Sequence, residues 1–258
     1  MHAIVNIALR VAREVATEIA QHSDRLDRVK TLPAPAGQLL TSVDVDIDNS
    51  LLYHLQKTYP EHGFRSRVSG TTAGKEGEPV WLIDPLVGNR NFINGYPQFA
   101  VSLACVVNER VEHAILLNPL TRDEFSASRG KGAQLNARRM RVSNRVDLES
   151  APIALDSDSL PTDSARKLYS GLLDIGALPR SSGCAALDML AVAGGQLQGG
   201  CCGPFQSVSL AGAALILQEA GGFIGNETGN PDYKSATQLY FGNQKTFGSL
   251  VKLGNKPA

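Results

Sequence analysis

Apolar residues recur at helical spacing near the start of the chain, where Ile4, Ile7, Ala8, Val11, Val15 and Ile19 fall on one face. That period predicts an amphipathic helix over residues 3–21 with one stripe turned to a core. A Pro/Ala/Gly stretch at 32–37 breaks the pattern and reads as a loop. A second helix is predicted over 46–58, closed by Pro60 and Gly63. The pattern then turns strand-like, with apolar and β-branched runs at 80–83, 99–107, 111–117 and 124–127. Residues 129–136 form a glycine-rich turn that lacks the Gly-Lys-(Ser/Thr) ending of a phosphate loop, and a strand is expected at 140–142.

The second half alternates in the manner of an α/β unit. A short strand is expected at 153–155 after Pro152, a helix at 163–173, and a helix at 185–193 ending on Gly194-Gly195. A helix rich in small residues follows at 209–220, ends on Gly221-Gly222 and leads into a strand. The order predicts a layered α/β architecture, α-β-α-β-α, with a subdomain break near 143–151. Residues 1–146 and 147–258 are expected to be two subdomains packed as one unit.

Composition narrows the function classes. The 258 residues are 43% hydrophobic and 19% charged, enough to bury a sizeable core. Twenty-five basic residues balance twenty-five acidic ones, which argues against a direct grip on nucleic acid, since that needs a basic face. The first segment intersperses charges (Arg10, Arg13, Glu14, Glu18), unlike a signal peptide, and no run of about 18 apolar residues predicts a membrane span. Cys105, Cys184, Cys201 and Cys202 are therefore expected to be reduced thiols in a cytoplasm. The adjacent Cys201-Cys202 has no Cys/His cluster around it, and none of the five histidines sits in a catalytic motif.

Candidate chemistry concentrates at Trp81-Leu82-Ile83-Asp84-Pro85-Leu86-Val87-Gly88-Asn89-Arg90-Asn91-Phe92. This segment resembles the signature of the inositol monophosphatase family, Trp-(Val/Ile)-Ile-Asp-Pro-(Leu/Ile)-Asp-Gly-Thr-Thr-Asn-Phe. Thr41-Ser42-Val43-Asp44 resembles the family's Thr-x-x-Asp motif. Gly183-Cys184-Ala185-Ala186-Leu187-Asp188 and Glu219-Ala220-Gly221-Gly222 resemble further frame segments, in the right order. The likeness spans nearly the whole chain and points to the bacterial SuhB-type branch. It implies a five-layered sugar-phosphatase fold and a homodimer.

In the family, carboxylates hold two or three Mg²⁺ ions that activate water and stabilise the leaving oxygen. By that resemblance Asp44 and Asp84 are retained metal-site residues, and Leu86 would offer its carbonyl. Arg67 stands where the family's glutamate ligand belongs, with Val68 beside it. Val87 replaces the next aspartate, and Asn89 the threonine that positions the attacking water. Ser209 falls ten residues before Glu219, where a further aspartate ligand is expected, and Cys202 aligns with a glutamate that contacts substrate hydroxyls. Three of four principal carboxylate ligands are thus absent. The substitutions, with Arg90 for threonine, also remove negative charge and add positive charge, which predicts a pocket that repels Mg²⁺.

Three readings follow. The first is a noncatalytic member with a regulatory or scaffold role; the resemblance implies a Nus factor and RNA polymerase as protein partners, with no cofactor. The second is an Mg²⁺-dependent inositol or sugar monophosphate phosphatase with altered ligands. The third is a metal-free phosphate- or sulfate-binding module in which Arg67 and Arg90 hold the anion, helped by Gly88, Asn89 and the turn Gly183-Cys184-Ala185. Against the third stands internal pairing of the two arginines with Asp44, Asp48 or Asp84, because stranded carboxylates need partners.

Overall fold

A computed structural model describes residues 3–35, 37–156 and 162–255. Residue 36 of the loop expected at 32–37, and Met1 and His2, lie outside the described residues.

Two helices form one outer layer. α1 (Ala3–Ser23) buries Val5, Ala8, Val11, Val15 and Ile19, the stripe that its period predicts. α2 (Ser42–Thr58) begins four residues before the expected start. The reason is local: Thr41, in the short hairpin β1 (Thr31–Leu32) and β2 (Leu40–Thr41), caps it. The Thr41 hydroxyl accepts from the Asp44 amide while Asp44 accepts from the Thr41 amide, a reciprocal capping box that satisfies two helix-end donors.

Beneath them lies an eight-stranded sheet built from β3 (Gly63–Ser66), β4 (Gly70–Thr72), β5 (Val80–Val87), β6 (Ala100–Val107), β7 (Arg110–Leu117), β8 (Glu124–Ser128), β9 (Gly132–Leu135) and β10 (Arg138–Met140). Its order is β10-β9-β8-β7-β6-β5-β3-β4. Only the β3–β5 pairing among these is parallel. Two expectations shift here. The glycine-rich segment at 129–136 contains strand β9, and the strand expected at 140–142 is β10, ending at Met140. β5 also runs four residues beyond its expected end, carrying Asp84 to Val87 within the sheet.

The five-stranded second sheet comprises β11 (Pro152–Leu155), β12 (Leu178–Arg180), β13 (Gly199–Cys202), β14 (Phe223–Asn226) and β15 (Leu239–Gly242), in the order β12-β11-β13-β15-β14. Between the sheets sit α5 (Ala185–Ala193) and α6 (Ser207–Glu219). α6 contacts β5, β6, β7, β8 and β9 on one side and β14 on the other. On the far side of the second sheet, α4 (Asp163–Asp174) and α7 (Gln244–Gly254) pack against each other and against β12, β13 and β15. The layers therefore run α-β-α-β-α. A short helix, α3 (Asn89–Ile93), follows β5 directly.

Candidate functional site

The end of β5 is irregular, and that irregularity aims the site. Pairing with β6 shifts register between Asp84 and Val87, around Pro85, which has no amide hydrogen to give the ladder. The freed Leu86 amide turns back and donates to Asp84 Oδ1 at 3.1 Å. Gly88 then takes φ +82°, and a side chain there would stand 2.6 Å from the Gln98 carbonyl. Only glycine makes this turn without strain. The turn starts α3 and points Asn89 and Arg90 in different directions.

Arg67 lies just past β3, where its amide donates to the Ile83 carbonyl at 3.0 Å. Its guanidinium bridges both retained carboxylates. Nε donates to Asp84 Oδ1 at 2.8 Å, and a terminal nitrogen pairs closely with Asp44 Oδ1 and reaches the Leu86 carbonyl at 3.4 Å. Asp44 and Asp84 are buried at 0% and 1% exposure, so each needs a counter-charge. Burial by itself would favour neutral Arg67; the charges of Asp84 and Asp44, with their hydrogen bonds, outweigh it and raise the guanidinium above its ordinary value.

The remaining carboxylate oxygens are also taken. Asp44 Oδ2 accepts from the Thr41 amide at 2.8 Å and the Thr41 hydroxyl at 2.6 Å. Ser209, in the first turn of α6, donates its hydroxyl to Asp84 Oδ2. Asn89 Nδ2 donates to the Leu39 carbonyl at 2.7 Å and lies 3.4 Å from Asp44 Oδ1. Val87 turns the other way, into the apolar layer with Cys184, Leu187 and Leu210.

Internal pairing is thus what the structure has for Arg67. Arg90 is different: it is exposed and donates to the Gly37 carbonyl at 3.1 Å, rather than to Asp44, Asp48 or Asp84. Asp48 takes the Ser66 hydroxyl instead. The expected excess of positive charge is not present. Asp84 and Asp156 line the cleft with Arg67 and Arg90, two carboxylates with two guanidinium groups, and the buried Asp44 pairs with Arg67. The Arg67 guanidinium is thus taken by Asp44 and Asp84, whereas Arg90, which also lines the cleft, donates to the Gly37 carbonyl.

The cleft above this floor has a volume of about 350 Å³. Its walls include Gly88 to Arg90 and Gly183 to Ala186, and Cys202 and Asp156 line it as well. Asn91 joins the walls by donating to the Gln98 and Ser182 carbonyls, both at 2.8 Å. Gly183, at φ +73°, leaves room for it. Burial pushes the Cys184 thiol up to about 12 and raises Cys202 as well, so neither is a ready nucleophile. Asp156 is a lining residue that sequence reasoning passed over. Its signal was its place at the carboxyl end of β11, which pairs in parallel with β12 and β13, since ligand crevices form outside such strand ends.

A divalent ion does not fit this donor set. Magnesium prefers six oxygen ligands in near-octahedral array. Here Asp44, Asp84 and the Leu86 carbonyl already converge on a guanidinium, and Val87 has no donor. Among the described residues, no three or more His, Cys, Asp or Glu side chains come together in a way that could hold a metal. The arrangement binds itself.

The comparisons with known proteins agree with the fold. The Nus factor SuhB of Pseudomonas aeruginosa is 36% identical over 258 residues, covering 97% of this chain and 95% of its own. The Nus factor SuhB of Escherichia coli K12 is 32% identical, with the same shares covered. The extragenic suppressor protein SuhB of Bartonella henselae superposes with a TM-score of 0.95 at 27% identity, over 100% of both chains. A Thermotoga maritima IMPase shares the fold, with a TM-score of 0.88 at 24% identity over 98% of this chain and 97% of its own. The sequence model of the inositol monophosphatase family matches residues 1–253, and the chain belongs to that family.

Proposed function

We propose that this chain is a noncatalytic member of its family, a regulatory or scaffold protein of the Nus-factor kind. One observation carries the reading: Arg67 occupies the carboxylates and the carbonyl on which the family's metal chemistry depends. On this reading no water is activated among the described residues of the cleft floor without bound Mg²⁺, and the Asn89 amide, tied to Leu39, is no substitute for a water-positioning hydroxyl. The relatives named Nus factors, alike over almost the full length, supply the direction of the proposal.

On this reading the protein is a cytoplasmic homodimer of two-subdomain chains, divided near residue 146, that acts through protein contacts and needs no cofactor. Tagged protein from its own host is expected to recover a Nus factor or RNA polymerase subunits, and purified protein to release phosphate from inositol monophosphate at background rate, even with excess Mg²⁺ or Mn²⁺. Metal-dependent turnover would end the noncatalytic part of the proposal. A pull-down free of Nus factors and polymerase would end the antitermination part.

A further inference from the structure

We infer that Arg67 is a tethered counterion: its guanidinium holds the cleft floor in one metal-independent arrangement and closes it to divalent cations. This deepens the noncatalytic reading, which it takes as its starting point, and it fails under different results.

The geometry supplies the argument. All four oxygens of Asp44 and Asp84 already accept from protein donors: Arg67, Thr41, the Leu86 amide and Ser209. Two buried carboxylates that share one guanidinium depend on it, because removing that partner leaves both stranded in the interior. A guanidinium suits the task better than an ammonium. Its planar fork offers divergent donors, and here Nε serves one carboxylate while a terminal nitrogen serves the other.

A divalent ion entering this place must expel a group that is covalently attached and so never diffuses away. Its effective concentration stays high whatever the solution holds. The device also links three elements, since Asp44 starts α2, Asp84 ends the regular part of β5, and Ser209 opens α6. Their relative placement, and any partner surface built on it, becomes independent of the Mg²⁺ supply.

The test is thermal unfolding of the full chain in EDTA and in millimolar Mg²⁺. Wild-type protein is expected to unfold at the same temperature in both. Arg67→Ala should unfold about 10 °C lower in EDTA, since it strands two buried charges. Magnesium should restore several degrees, because ligand that binds only the folded state raises its midpoint. Arg67→Glu should show the larger metal response. The combined variant D44N/R67M/D84N, which removes the charges together, should unfold near wild type and ignore Mg²⁺.

A wild-type midpoint that climbs with Mg²⁺ overturns the inference. If phosphate release then stays at background, the noncatalytic reading survives; if turnover appears, both fall. An Arg67→Ala protein as stable as wild type, with no metal response, also overturns it. Should that variant fail to fold, the combined variant decides: folded and blind to Mg²⁺ supports the counterion role, unfolded points to packing and refutes it.

Discussion

Asp188 gives the molecule a pH dependence that belongs to one side chain. It lies in the first turn of α5 at 5% exposure, and its Oδ2 has no hydrogen-bond partner. Burial, the dominant cause, raises its carboxyl to about 7; a Ser182 hydrogen bond opposes this and the Asp156 charge adds to it. An unfolded chain holds this proton only below about pH 4, whereas the folded chain holds it up to neutrality. The folded state gains fully from the proton below pH 4, and the gain is lost as pH rises through 7. Asp188→Asn keeps a neutral side chain at every pH. The stability of wild type relative to Asp188→Asn should therefore fall between pH 5 and pH 8, by up to a few kcal/mol. Parallel thermal melts of the two proteins measure it, and a constant difference across that range refutes the assignment. The aspartate itself was visible in the sequence as part of a helix start. Its protonation was not, because that depends on Asp156 and on burial between two sheets, which come from distant segments. Arg67 shows the same division: its identity at a ligand position was legible, its choice of both Asp44 and Asp84 was not.

Elements were legible where period and length carried a signal. α1, α5 and the long strands β6 and β7 stand close to their expected bounds, because α1 buries one periodic face and the others carry continuous apolar runs into the core. The start of α2 was available in the Thr41-x-x-Asp44 spacing, which is a capping signature as well as a family motif. β13 was hidden for a physical reason. Its sequence, Gly199-Gly200-Cys201-Cys202, has low strand propensity, yet it lies between β11 and β15 with every residue buried. Glycine is required there by close packing. A methyl group on Gly200 would stand 2.5 Å from the Phe241 ring and 2.8 Å from the Ala154 side chain. Gly200→Ala should cost about 1–3 kcal/mol through overpacking. The urea midpoint reports it, and a midpoint equal to wild type would mean that the ring yields without cost. β12 was hidden differently: Pro179 lowers its strand signal, and the strand is tolerated because it lies at the sheet edge.

At the scale of the whole molecule, the middle layer joins the two halves. Asp84 meets Ser209 across the cleft, Asn91 reaches Ser182, and Glu219 at the end of α6 accepts from the Gly130 and Gly132 amides, both at 2.8 Å. That last contact explains the phosphate-loop likeness of the glycine-rich segment: its amides do bind an anion, but the anion is the protein's own glutamate. The pattern repeats the Arg67 arrangement, in which groups suited to an external ligand are satisfied internally. If the chain acts in transcription as proposed, the surface has to carry that role, and the chain as a whole has no surplus of positive charge, with basic and acidic residues equal in number. Nucleic-acid affinity in the absence of base readout comes from phosphate neutralisation and counterion release, and each such contact steepens the fall of affinity with salt. Purified protein titrated into labelled RNA or DNA should therefore show no saturable binding at physiological salt, and only a shallow dependence on salt below it. Fluorescence anisotropy measures this directly. Tight binding with a steep salt slope would place a basic face on this chain and make nucleic acid, rather than a protein partner, its point of attachment.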